Sequence, residues 1–168
     1  MPQSLARRRV VRPPRSAAPS EGATRCTVSL PLQRAQLPPV PSTLLIPLAA
    51  RAHGGRYFPW LDCRDAVAPA LLARLDADVN GTLDDLHTVL HVLWRTRAIQ
   101  EAGRAFFAEH PQALGVNLGC ALTHYFQWLD GGANQWLDAD LPEVMALRRP
   151  LLPPPCPRTR HACLLYTS

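Results

Sequence analysis

Lysine is absent from this 168-residue chain, and every cationic side chain apart from histidine is an arginine. The sequence also lacks any run of about 18 apolar residues, so it offers no candidate transmembrane helix. The arginines near the N-terminus are not followed by an apolar stretch, which excludes a secretory signal. The five cysteines have no CxxC spacing, which excludes a zinc knuckle and gives no disulfide framework. We therefore expect a cytoplasmic protein without a membrane partner.

Positive charge is confined to the two ends of the chain. The net charge of +5 divides into +6 over residues 1–41, −3 over 42–149 and +2 over 150–168. Proline follows the same division, with eight of the 18 prolines in 1–41 and five in 150–168. Segments of this composition bury too little apolar surface to offset their ordering entropy. We predict a disordered Pro/Arg-rich extension over 1–41 and a disordered tail over 151–168.

The last six residues, Cys163–Ser168, back-translate to a transposase mosaic-end adaptor of the kind used in DNA libraries. We interpret them as a scar rather than as protein. The natural chain is then expected to continue beyond about residue 155. A sheet cut after its first strands has an unpaired edge, so the 168 residues alone are expected to be poorly stable and catalytically inactive.

Residues 42–111 carry a helical pattern. Pro47 is expected to interrupt any long helix at the start of this segment, and a second helix is predicted from Asp65 onwards. Thr82 and Asp85 have the spacing of a capping box, which predicts an amphipathic helix that continues to about Glu109. We interpret the segment as a helical N-terminal cap on the domain that follows.

Residues 112–150 alternate between strand and helix patterns. A short strand ends at Leu118, and a helix is predicted over 122–129 after a glycine turn. A second strand over 135–139 precedes a helix over 142–149, which has proline at its first position. This order predicts an α/β fold, a Rossmann-like doubly wound sheet truncated after about two strands.

The glycine turn after the first strand restricts what the domain can bind. A dinucleotide site needs G-x-G-x-x-G, because the backbone must approach a pyrophosphate closely. The three positions here are Gly119, Ala121 and His124, and two of them are not glycine. NAD and FAD are therefore disfavoured. A ligand that contains adenosine but no phosphate requires less clearance, and S-adenosylmethionine is such a ligand.

Two carboxylates follow the glycine turn at the distance expected for a ribose contact. An acidic residue about 20 positions after the loop accepts hydrogen bonds from a ribose diol in such folds. Asp138 and Asp140 both satisfy this spacing, and strand side chains alternate, so the two point to the same side. The sequence alone does not distinguish between them.

The combination of the two strands resembles a known family. "VNLGCALTHYFQWLD" followed by "WLDADLPEVMALRR" is similar to the leucine carboxyl methyltransferase family, which includes the tetracenomycin-type polyketide O-methyltransferases. Members carry "VNLGxGLDTR" at the first strand and an Asp-Leu/Phe-Pro sequence after the second. Upstream, "TLLIPLAARA" and "RTR" also match. The resemblance covers about residues 41–152 and implies a fold that binds S-adenosylmethionine.

The resemblance implies specific roles for several residues. Gly119 and its neighbour Cys120 would lie against the cofactor, and Asp140 would bind the ribose hydroxyls. Arg95 would pair with the cofactor carboxylate through its guanidinium fork, and Arg97 is its nearest competitor. Ala121 departs from the family, which has a second glycine there, and its methyl is tolerable only if its φ is negative.

We accordingly interpret the chain as a fragment of an O-methyltransferase that uses S-adenosylmethionine. The acceptor is a carboxylate or hydroxyl oxygen of a small molecule or peptide, and no catalytic residue is identified. No metal site is predicted, because His87 and His91 lack a third ligand. One alternative is a non-catalytic fragment whose Arg-rich arm binds polyanions, although nucleic acid is disfavoured as a partner; another is a nicotinamide-dependent oxidoreductase.

Overall fold

A computed structural model describes residues 42–164 with the exception of residues 78, 80 and 155. The predictions made for residues 1–41, including the Arg-rich arm, and for 165–168 lie outside these residues. Two short 3-10 turns, Gly54–Arg56 and Pro59–Leu61, join the first two helices. In chain order the helices and strands are α1 (Ser42–His53), α2 (Ala68–Leu75), α3 (Leu86–Glu109), β1 (Leu114–Leu118), α4 (Phe126–Leu129), β2 (Gln135–Asp140), α5 (Pro142–Leu151) and β3 (Thr159–Cys163).

The strands form one parallel sheet in the order β1-β2-β3. Asn117 of β1 lies beside Asp138 of β2, which lies beside His161 of β3. Helices α4 and α5 provide the crossovers between successive parallel strands, as a βαβ unit requires. The predicted α/β class is confirmed. The carboxyl ends of all three strands lie at one edge of the sheet.

The third strand contradicts one prediction. Residues 159–163 lie in the segment for which composition predicted a disordered tail, yet they pair with β2 along their whole length. The prediction was wrong there because the prolines cluster before the strand, at residues 150–157, and not within it. The described sheet therefore has three strands where the sequence indicated about two.

Helix boundaries differ from the predictions at several places. Helix α1 continues through Pro47, so that proline does not end it. Helix α3 begins at Leu86 and not at the proposed capping box. Asp85 is its N-cap, and the carboxylate accepts hydrogen bonds from the amides of His87 and Thr88 at 3.1 and 3.2 Å. A carboxylate satisfies the first helical amides and favours the positive end of the helix dipole, which explains the later start.

Helix α4 is also shorter than predicted, with a single turn from Phe126 to Leu129, since residues 119–125 form a loop of turns. Within the described part of the chain, no helix is long and apolar enough to cross a membrane.

Three groups of buried apolar side chains join these elements. The largest connects α1, α2 and α5, and includes Leu48, Leu71 and Leu151. A second lies between α1 and α3. The third packs α4 and the end of α3 against Trp136 of β2. The third group covers the face of the sheet at Trp136, and Leu122 of the loop after β1 belongs to the first group, which joins the loop to α1 and α5.

Candidate functional site

The loop that follows β1 turns sharply with two residues in the left-handed region. Gly119 has φ +64° and Ala121 has φ +44°. The amides of Gly119 and Cys120 donate to the carbonyl of Ala139 at 2.8 and 3.3 Å, which closes the loop on the end of β2. The sequence required a negative φ for the alanine methyl to be tolerated, and the observed φ contradicts that requirement. Ala121 is therefore a strained residue.

Asp140, the last residue of β2, is the partner of that strained position. Its Oδ2 accepts a hydrogen bond from the Ala121 amide at 2.7 Å, and its Oδ1 accepts one from the Leu141 amide at 2.8 Å. Each carboxylate oxygen can accept further hydrogen bonds. Asp140 is 8% exposed and lies at the carboxyl edge of the sheet, where ligands bind in open α/β sheets.

Asp138 has a different environment, although it is on the same side of β2. Its Oδ1 accepts hydrogen bonds from Asn117 Nδ2 and Trp136 Nε1 at 2.9 and 3.0 Å. Its Oδ2 accepts one from Arg148 Nη2 at 2.6 Å. The side chains of the Asp138–Arg148 pair are 2% and 0% exposed. This carboxylate is committed to protein partners, and the structure thus separates two residues that the sequence left equivalent.

Arg148 is a residue of this site that the sequence analysis did not identify. Its Nη1 donates to the carbonyls of Ala121 and Thr123 at 2.8 and 2.6 Å. It joins α5 to the loop as well as to β2. The sequence holds a signal for its burial: Met145, Arg148 and Leu151 recur at three-residue spacing on the apolar face of α5.

Two side chains of the loop, those of Cys120 and His124, are held in their uncharged forms. Burial raises the pKa of the Cys120 thiol to about 12, and its Sγ donates to Met145 Sδ at 3.7 Å. Burial, together with the positive charge of Arg148, lowers the pKa of His124 to about 4. A protonated buried thiol is a poor nucleophile. Because His124 is neutral, it carries no positive charge that would compete with Arg148 for the Asp138 carboxylate.

The two arginines predicted to bind the cofactor carboxylate differ in their contacts. Arg97 donates to Gln100 and Glu101 at 3.4 and 3.2 Å, along its own helix. Arg95 is exposed on α3. Burial raises the pKa of Tyr125 against the opposing charges of Arg51 and Arg95. The charge of Arg95 thus acts on Tyr125, the last residue of the loop.

A second buried ion pair supports the loop from the side of α1. Arg51 Nε donates to Asp65 Oδ2 at 2.9 Å, and its Nη2 donates to the Leu122 carbonyl at 3.3 Å. Gln127 Nε2 donates to Asp65 Oδ1 at 2.9 Å. The loop is thus held by one arginine from α1 and another from α5.

No group of three potential metal ligands occurs among the described residues. His87 and His91 stack edge to face on α3, with ring centroids 4.5 Å apart.

The arrangement suits a ligand without phosphate groups better than a dinucleotide. The amides of Gly119, Cys120 and Ala121 already donate to β2, whereas phosphate loops present free amides to the anion. A Cβ placed on Gly119 would meet no heavy atom within 4 Å, so the space beside this glycine is open. An open turn beside a carboxylate with spare acceptor capacity matches a ribose diol.

Comparison with known proteins gave one informative match. Over 115 residues the chain is 35% identical to the tetracenomycin polyketide synthesis O-methyltransferase of Streptomyces glaucescens. The aligned part covers 68% of this chain and 42% of the relative, so the chain spans less than half the length of that protein. No family model matches the chain. No solved structure matches it.

Proposed function

This chain is related to the methyltransferases. On that premise we propose that it is the cofactor-binding part of an O-methyltransferase that uses S-adenosylmethionine. The acceptor is a carboxylate or hydroxyl oxygen of a small molecule or peptide. The relative is named for polyketide synthesis, which makes polyketide-like hydroxyls the first acceptors to test. We further propose that the protein acts in the cytoplasm, without a membrane partner.

One observation carries the proposal: the glycine turn is bonded directly to the acidic residue that ends β2. Asp140 accepts from the Ala121 amide at 2.7 Å, so the carboxylate and the open side of Gly119 are parts of one rigid unit. A ribose that lies in the turn would donate its hydroxyls to Asp140. Asp138 is not proposed as the ribose ligand, since its oxygens are bonded to Arg148, Asn117 and Trp136.

A nicotinamide dinucleotide is a weaker candidate for the same place. Its pyrophosphate requires amides that point at the anion, and the loop amides at 119–121 are bonded to β2. The side chain of Ala121 also occupies a position that is glycine in such sites. We therefore favour S-adenosylmethionine over NAD or NADP for this chain.

The residues of this chain are proposed to hold the cofactor, which itself supplies the reactive group. When bound, S-adenosylmethionine supplies a methyl group that is already activated by its sulfonium charge. The contribution of this chain is then orientation and exclusion of water. Gly119 and Asp140 fix the adenosine, and Arg95 is proposed to pair with the methionine carboxylate. A carboxylate acceptor needs no general base, whereas a hydroxyl acceptor requires one.

Calorimetric titration of the purified chain with S-adenosylhomocysteine, the demethylated product, tests the proposal. We expect binding by the wild type. Asp140→Asn should weaken it by about tenfold or more, because one acceptor of the ribose hydroxyls is replaced by a donor. Asp84→Asn is the matched control: this exposed aspartate precedes α3 and should change affinity by less than about twofold.

Two outcomes would contradict the proposal. The first is wild-type protein that takes up NADPH and not S-adenosylhomocysteine, which is the result expected for the oxidoreductase alternative. The second is equal affinity of the Asp140 and Asp84 variants. A variant that lacks residues 1–41 tests the alternative in which the Arg-rich arm binds polyanions. Its affinity for S-adenosylhomocysteine should be unchanged, while any binding to heparin should be lost.

A further inference from the structure

We propose that Arg148 is a positioning residue for the cofactor site: its guanidinium holds the carbonyls of Ala121 and Thr123 and keeps the loop in the shape that adenosine requires. The inference rests on the proposed function. Arg148 does not itself contact the cofactor in this scheme, and it acts through the backbone of the loop.

The geometry of the guanidinium supports this role. Nη1 reaches two loop carbonyls at 2.8 and 2.6 Å, and Nη2 reaches Asp138 at 2.6 Å. The group is planar and its donors are fixed relative to one another. The rigid guanidinium therefore sets the distance between the loop and Asp138 of β2. A lysine ammonium is a single point charge on a flexible stem and would not span the same three acceptors.

The loop needs such support because of Ala121. A non-glycine residue at φ +44° is strained and persists only when its surroundings determine its conformation. Both backbone polar groups of Ala121 are held: its amide donates to Asp140, and its carbonyl accepts from Arg148. Loss of the second contact leaves the strained residue tethered on one side only. The predicted consequence is a loop that samples other shapes and presents Asp140 less accurately.

Asp138 fixes Arg148 in turn. This carboxylate is itself oriented by donors from β1 and β2, Asn117 and the Trp136 indole. The Arg148 Nε is buried without a hydrogen-bond partner, which is unfavourable for folding alone. Retention of a fully buried arginine with an unsatisfied nitrogen is understandable if its Nη contacts to the loop serve binding.

The test compares two charge-conserving variants. Arg148→Lys keeps a positive charge beside Asp138 but loses the fork. Arg158→Lys is the matched control, since Arg158 pairs with Asp130 and donates to the Asn134 carbonyl, both of which precede β2. Each variant is titrated with S-adenosylhomocysteine, and hydrogen exchange of the Ala121 amide is followed by NMR.

We expect Arg148→Lys to weaken S-adenosylhomocysteine binding by about tenfold or more and to accelerate exchange at Ala121 by a similar factor. Arg158→Lys should change both by less than about twofold, even if it lowers the melting temperature. Adding Ala121→Gly to Arg148→Lys should recover part of the lost affinity, because glycine adopts the left-handed conformation without support.

The inference is overturned if Arg148→Lys binds within about twofold of the wild type, or if Arg158→Lys loses as much affinity. It is also overturned if the added glycine recovers nothing. A wild type that does not bind S-adenosylhomocysteine refutes the proposed function instead. Exchange at Ala121 then decides whether Arg148 positions the loop: faster exchange in the Arg148 variant alone supports it, and equal exchange in both variants refutes it.

Discussion

Replacing Ala121 with glycine should stabilise the protein, although glycine substitutions usually have the opposite effect. The left-handed conformation costs an L-residue about 1–2 kcal/mol, and Ala121 has φ +44°. Glycine avoids this cost but loses about 0.5–1 kcal/mol through the greater entropy of the unfolded chain. The backbone hydrogen bonds to Asp140 and Arg148 are retained. The net expectation is a gain of about 0.5–1 kcal/mol, or about 1–4 °C in melting temperature.

Urea unfolding followed by tryptophan fluorescence measures this change. Ala102→Gly provides the matched control, because Ala102 is exposed in the middle of α3, where glycine costs about 1 kcal/mol. The two alanine-to-glycine changes should therefore shift the unfolding midpoint in opposite directions. If Ala121→Gly lowers the midpoint as Ala102→Gly does, the strain assigned to the loop is absent and the reasoning is wrong.

Three further predictions concern stability and reactivity. Arg51→Met should lower the free energy of unfolding by about 3 kcal/mol, because it leaves the buried Asp65 carboxylate without its ion-pair partner. Arg97→Met breaks a more exposed pair and should lower it by less than about 0.5 kcal/mol. Similar urea midpoints for the two variants would show that burial of the Arg51 pair does not matter for stability. Since the pKa of His124 is about 4 when folded and 6.5 in its ordinary state, the unfolded chain binds the extra proton, and stability should fall as the pH drops from 6.5 towards 4. His124→Asn should lessen this slope, and an unchanged slope would count against the assignment. Iodoacetamide should label Cys163 in the native protein but Cys120 only after unfolding, as mapped by peptide mass spectrometry.

The elements that the sequence predicted well are those marked by local signals. The glycine at 119 ends β1, and the proline at 142 opens α5, because a turn residue and a first-turn proline act within a few residues. The predicted relationship to methyltransferases is confirmed by the similarity to the Streptomyces enzyme. The finer assignment to leucine carboxyl methyltransferases remains a prediction, as do the roles of the site residues.

The features that escaped prediction depend on contacts between distant residues. The strand β3 has no apolar alternation and is defined by its pairing with β2. Arg148 is 27 residues from the Ala121 carbonyl it binds, and no local pattern links them. The φ of Ala121 follows from its bond to Asp140 and opposes its own preference. Tertiary contacts outweigh local propensity at these positions, and two of the three lie in the candidate site.

An NMR titration of the ¹⁵N-labelled chain with S-adenosylhomocysteine tests the central claim most directly. If adenosine is held between the turn at Gly119 and the carboxylate of Asp140, the amides of residues 119–121 and of Leu141 should shift first and saturate together. Amides of the exposed face of α3, such as that of Ala102, should not move. Saturation shifts confined to other parts of the chain, or none at millimolar ligand, would contradict the account.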